Sequence, residues 1–198
     1  LYLNSGVRKP PAAKKISSVG IYYPDLNEIN VETLETKWRI KKRPVIAITF
    51  YSALLQSGQT EVIDALISAL EKDYNCIPIH SKSFKDKKNQ EVTRFLLKKY
   101  NPISVINLTG FSLSGISSSK TIFDDARRPV FQLILSSMSE HEWKHSSKGL
   151  NNRDIIMSIS LPEIDGRIIT KTIAFKEEIS FDKITQTKLL EYIPHDFG

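Results

Sequence analysis

The sequence predicts an α/β fold: a doubly wound, mostly parallel sheet with helices on both faces, of the Rossmann or flavodoxin kind, behind an extended N-terminal arm. Two observations predict it. From Pro44 onward, short runs of β-branched and aromatic residues alternate with stretches whose apolar residues recur at helical spacing, the pattern of right-handed βαβ units. The runs themselves show almost no apolar–polar alternation, as strands do when both of their faces are covered.

Residues 1–43 read as a lead-in, because Pro10, Pro11 and Pro24 forbid a long helix and RKPPAAKK is polar. Within it, VGIYYP reads as a strand and NVETLETKWRI as a short helix with Val31, Leu34 and Trp38 on one face. PVIAITFY is a buried strand, and SALLQSGQT after it reads as a loop. In TEVIDALISALEKDY, Val62, Leu66, Leu70 and Tyr74 line up beside Ile63 and Ile67, and Thr60 stands where an N-cap belongs. CIPIH is the next strand, NQEVTRFLLKKY a helix with Val92, Phe95 and Leu96 inward, and ISVINLT a further strand. The long loop TGFSLSGISSSKTIFDDARR leads to the strand PVFQLILSS; MSEHEWKHSS and NRDIIMSISLPEI read as helical, and RIITKTIAFKE as the closing strand. The chain divides accordingly into an arm (1–43), an α/β domain (44–176) and a C-terminal extension (177–198).

Composition narrows the class. An apolar share of 40% over 198 residues is enough for a core of ordinary domain size. No apolar run approaches the roughly 18 residues of a bilayer span, and LYLNSGVRKP lacks the order of a signal peptide, so a cytoplasmic location is expected. The single cysteine, Cys76, rules out an intrachain disulfide and reads as a small buried residue. The net charge of +6 is spread over 20 lysines and 8 arginines without a nucleic-acid module, which leaves attraction toward a polyanionic small ligand.

HEWKH, residues 141–145, matches H-E-x-x-H, the spacing that sets two histidines one helical turn apart around a zinc ion. Its surroundings do not follow. Ser146, Ser147 and Gly149 break the helix, and the longer metallopeptidase pattern would need a glycine and a third histidine where Lys148 and Asn151 stand. Two histidines on a surface helix anchored by Trp143 are expected, not a zinc peptidase.

In open α/β sheets ligands bind beyond the carboxyl ends of the strands. A site is therefore expected from SALLQSGQT, the region after His80, the TGFS loop, and Ser136 with Ser137.

The long segment SSMSEHEWKHSSKGLNNRDIIMSISLPEIDGRIITKTIAFKE resembles the cobaltochelatase large subunit, CobN, and its relative the magnesium-chelatase H subunit. GIYYP, FYSALLQSGQTEVIDALISALE, PIHSKSFKD and INLTGFSLS extend the match in the same order, over about residues 20–176. DGRIITKTIAFKE is similar to the D-G-R-I-x-T-R-x-x-x-F-K-E pattern of the cobalt branch.

The resemblance implies a fragment of a tetrapyrrole-binding subunit that inserts Co2+ into hydrogenobyrinic acid a,c-diamide in cobalamin biosynthesis. It further implies that ATP is hydrolysed by AAA+ partner subunits, alongside a chelatase subunit with a metal-ion-dependent adhesion site. No G-x-x-x-x-G-K-[ST] occurs here, in keeping with ATP being handled elsewhere and no tightly bound cofactor in the fragment. The fragment alone is expected to be inactive. A non-catalytic binding or scaffold module of the same fold and a magnesium-type subunit remain alternatives.

Such a reaction needs an acceptor for ring N–H protons and ligands that replace water around the metal. Glu163 and Asp165 in LPEIDG, with His80, are the expected acid–base or metal-delivery groups, against loop-capping and structural roles. Arg167 is expected to pair with a ligand carboxylate or with Asp165. Gly58, Thr60, Thr109, Gly110, Ser136 and Ser137 are expected to offer N–H and hydroxyl groups to an acidic tetrapyrrole side chain. No residue is assigned as a metal ligand.

Overall fold

The computed structural model describes residues 15–114, 120–124 and 127–195. The expectations placed on Pro10 and Pro11, and on residues 115–119 and 125–126 of the long loop, lie outside the described residues. The strands are β1 (Val19–Tyr23), β2 (Asn27–Ile29), β3 (Val45–Tyr51), β4 (Asn75–Ser81), β5 (Ser104–Asn107), β6 (Val130–Leu135), β7 (Ile168–Asp182) and β8 (Thr187–Pro194). The helices are α1 (Val31–Lys37), α2 (Ser52–Gln56), α3 (Glu61–Leu70), α4 (Lys87–Tyr100), α5 (Glu140–His145), α6 (Asn152–Ile155) and α7 (Leu161–Ile164), the last two joined by a π-helical turn, Ile156–Ser160.

One eight-stranded sheet contains every strand among the described residues, in the order β2-β1-β4-β3-β5-β6-β7-β8. The central strands β4, β3, β5, β6 and β7 pair in parallel, while β1 and β2 extend one edge and β8 the other by antiparallel pairing. The parallel block has the 2-1-3-4-5 order of flavodoxin-like sheets, whose switch point falls here between β3 and β5.

The absence of alternation in β3 follows from its position. Ala47 packs into a core with Leu34 of α1 and Leu96 and Leu97 of α4; Ile48 and Phe50 pack into a second core with Val62, Ile63 and Ile67 of α3. Helices thus cover both faces. Cys76, 1% exposed, lies in the second core. Among the described residues no helix is long and apolar enough to cross a membrane.

The structure departs from the sequence reading at three places. The lead-in, expected as an extended arm ahead of the α/β domain, joins the sheet and the core over its described part: Val19–Ile21 pair with Ile79–Ser81, and Leu34 is fully buried. SALLQ forms helix α2 instead of a loop, because Leu55 is drawn into the second core and Gly58, at φ +72°, caps the turn in the left-handed conformation. Helix α4 is rotated from the expected face. Val92 and Phe95 are 36% and 61% exposed, while Asn89, Thr93, Leu96 and Leu97 point inward. The polar pair can be buried because Asn89 donates to Ser83 O at 3.1 Å and Thr93 Oγ1 to Asn89 O at 2.9 Å.

If residues 31–37 belong to the same cooperative unit, Leu34→Ala lowers global stability by about 2–5 kcal/mol in a single urea transition. An unchanged midpoint would mean that the segment unfolds on its own.

Candidate functional site

Strand β3 ends at Tyr51 and β5 at Asn107, and beyond their carboxyl ends opens a cleft of about 450 Å³. Its apolar lining comes from Leu54, Leu108, Phe111, Leu135 and Met157, with Tyr51 and Tyr192 at its sides. Its polar lining includes Gln59, Ser137, Arg153, Asp154 and Lys176. Lys176 is steered by Tyr192, whose ring lies 5.5 Å from its Nζ; burial raises the Tyr192 hydroxyl above its ordinary pKa and favours the neutral phenol.

Asp154, 4% exposed, fixes one wall. It accepts from Ser136 Oγ, Ser137 N and Ser137 Oγ, each at 2.8 Å. The π-helical turn fixes another: Met157 O accepts from Phe111 N at 2.8 Å, and an added Cβ on Gly110 would meet that oxygen at 3.0 Å. Gly110 is thus required by close approach of the loop to the helix, and Phe111 beside it takes φ +66°.

Behind the cleft runs a buried polar chain. Thr49 Oγ1 donates to Asn107 Oδ1 at 2.7 Å, Asn107 Nδ2 to Gln132 Oε1 at 2.7 Å, and an Arg167 terminal nitrogen to the same Gln132 oxygen at 2.9 Å. Arg167 also donates to Thr109 O and Phe111 O, both at 3.1 Å, and to Asp165 at 2.7 Å. Burial favours the neutral Asp165 carboxyl. Hydrogen bonds from Leu113 N and from Ser112 and Ser114 outweigh that and hold its pKa below the usual value.

Of the residues singled out from sequence, Gly110 and Ser137 line the cleft, and Ser136 supports it through Asp154. The other residues singled out do not join them in the cleft lining. Thr109 is fully buried, its hydroxyl donating to Asn107 Oδ1 at 2.9 Å. Asp165 and Arg167 are consumed by each other, with side chains 1% exposed, and border a separate cavity of about 120 Å³. Glu163 is exposed where the helical segment delivers the chain to the amino end of β7, away from the cleft. Gly58 serves as a helix cap, and Thr60 faces Asp64, whose Oδ1 accepts from Tyr22 at 2.6 Å.

His80 does stand at the carboxyl end of β4, but it is fully buried. Its Nδ1 lies 2.9 Å from Ser52 Oγ, and its Nε2 lies 3.7 Å from Glu28 Oε2, too long for a hydrogen bond. Burial lowers its pKa against the pull of Glu28.

Sequence reasoning missed Arg153, Asp154, Lys176 and Tyr192. Asp154 carried a signal, since it stands three residues after Asn151, the N-cap of α6, where an acidic side chain suits the first turn. Tyr192 carried none, because only the long-range pairing of β8 with β7 brings it to Lys176.

HEWKH makes up the last five residues of α5, a helix of six. Glu142 is held in a capping box, accepting from Ser139 N at 3.1 Å, and is not free to serve as a peptidase base. Among the described residues no group of three or more His, Cys, Asp or Glu side chains is arranged to hold a metal ion.

Residues 1–196 match a family described as CobN/Magnesium Chelatase. The chain is 33% identical, over 97% of its length, to the aerobic cobaltochelatase subunit CobN of a Sinorhizobium species, of which it covers 16%. It is 30% identical, over 85% of its length, to the aerobic cobaltochelatase subunit CobN of Pseudomonas aeruginosa, of which it covers 13%. Among solved structures, the catalytic subunit of cobaltochelatase from Mycobacterium tuberculosis has the same fold, with a TM-score of 0.63 over 98% of this chain and 16% of that one, at 21% identity.

Asp165→Asn is expected to cost about 3–5 kcal/mol in urea unfolding, because it strips the counter-charge from a buried guanidinium; Glu163→Gln, at an exposed position, leaves the midpoint unchanged. His80 has a pKa below its ordinary 6.5, so its contribution to stability is complete above that pH and lost as pH falls through the lowered value. Melting curves from about pH 8 to about pH 5 should show this decline, and His80→Gln should remove it.

Proposed function

Because the chain belongs to the CobN/magnesium chelatase family, a family of metal chelatases, we propose that its cleft holds an acidic edge of a tetrapyrrole within a larger cobaltochelatase subunit. The observation that carries this reading is the pairing of Arg153 and Lys176 with an apolar lining at the switch point of the sheet. A corrinoid precursor such as hydrogenobyrinic acid a,c-diamide presents both an apolar ring face and carboxylates. Arg153 and Lys176 meet the carboxylates, while Leu54, Phe111, Leu135 and Met157 receive the ring edge.

The role is binding and orientation. Asp154 is the one carboxylate among the described lining residues, and its oxygens already accept three hydrogen bonds, which leaves it poorly suited to take ring N–H protons. Proton acceptance, metal delivery and ATP hydrolysis are then functions of the remaining subunit and its AAA+ partners, and the chain alone does not insert Co2+. The relatives named for cobalt favour Co2+ over Mg2+ as the substrate metal.

Absorbance titration with hydrogenobyrinic acid a,c-diamide tests this. Binding should produce a band shift, and Arg153→Gln or Lys176→Gln should each weaken it about two- to fivefold, the range of partly exposed ion pairs of about 0.5–1 kcal/mol. Lys148→Gln, an exposed position away from the cleft, should leave it unchanged. No shift, or equal losses at all three positions, would leave only the general attraction of a basic chain for an anion.

A further inference from the structure

We propose that His141 and His145 form a two-imidazole surface site for a borderline divalent transition-metal cation such as Co2+, Ni2+, Cu2+ or Zn2+. Neither residue lines the cleft, so the inference stands independently of the proposed function.

The two histidines lie four apart on α5, on one face of the helix, and both are exposed. Their rings are near-parallel, 4.2 Å apart between centroids at 29°. His145 Nδ1 lies 2.8 Å from the backbone oxygen of His141. A carbonyl has no proton to give, so Nδ1 carries the hydrogen and the lone pair of His145 sits on Nε2. That is how metal-bound histidines are commonly held: one ring N–H donates to a fixed acceptor, and the other nitrogen is left to the ion.

The backbone that carries the pair is fixed from the other side. Ser139 and Glu142 close a capping box, and Trp143 packs 5.0 Å from the Phe175 ring and 6.0 Å from His195. The nearby carboxylates are already engaged. Glu140 pairs with Lys144 at 2.6 Å and His195 at 3.0 Å, and Glu142 accepts from Ser139 N. With two nitrogen ligands and no free carboxylate, the site suits ions that favour imidazole over oxygen, with water completing the shell, and discriminates against Mg2+.

Calorimetric titration of the untagged chain with each metal chloride tests the site. One ion should bind per chain, with affinity rising from Co2+ to Ni2+ to Cu2+ and no heat from Mg2+. His141→Asn and His145→Asn should each weaken Ni2+ binding by about tenfold or more, as damage to a metal site does, whereas His195→Gln should not. In the unsubstituted chain, Ni2+ should broaden the ring proton NMR signals of His141 and His145 before those of His80 and His195, which locates the ion without relying on any variant. Absence of binding, retention in both asparagine variants, or loss on His195→Gln would overturn the assignment.

Discussion

The Asp165 carboxylate and the Arg167 guanidinium lie 2.7 Å apart with side chains 1% exposed, and neither would stay in the interior without the other. Their placement organises more than themselves. Arg167 reaches Thr109 O, Phe111 O and Gln132 Oε1, while Asp165 collects Ser112, Leu113 and Ser114, so one ion pair gathers the loop after β5 and joins it to β6 and β7. That loop supplies Gly110 and Phe111 to the cleft. Of the two partners expected for Arg167 from the sequence, a ligand carboxylate or Asp165, the structure has Asp165, and the pair holds the wall that faces the cleft.

The cleft inherits its character from this order. Parallel pairing of β3, β5 and β6 brings their carboxyl ends together, the π-helical turn lets the helical segment touch the loop through Met157 O, and the Asp154 bonds set Ser137 beside them. Two cations then face an apolar lining. Since the chain covers 16% and 13% of the two CobN relatives, a division of labour between this surface and the remaining subunit is the natural arrangement for the proposed chemistry.

Much of the fold was legible because burial writes itself into short windows of sequence. The unalternating PVIAITFY announced a strand covered on both faces, and the helical spacing of Val62, Ile63 and Ile67 announced the element that covers one of them. Where polar groups are buried through hydrogen bonds, the same logic misled: Asn89 and Thr93 took the inward positions of α4 that Val92 and Phe95 were expected to fill. Helix α2 is too short to show a period. At the site, the region was legible from the carboxyl-edge rule, but Lys176 and Tyr192 depend on the register of β7 with β8, a contact that no local pattern records. The histidine pair was visible as spacing alone; the bond from His145 to the His141 carbonyl, which fixes the tautomer, is visible only in three dimensions.

The central claim is that the edge beyond β3, β5 and β6 is where the tetrapyrrole rests. Residue-resolved NMR shifts, recorded as a cobalt-free corrinoid precursor is added, address it most directly. Changes centred on the amides of Gly110, Phe111, Ser137 and Lys176 are predicted. Changes centred instead on the pocket lined by Leu26, Glu28, Asn30 and Leu55, or none at saturating ligand, would contradict it.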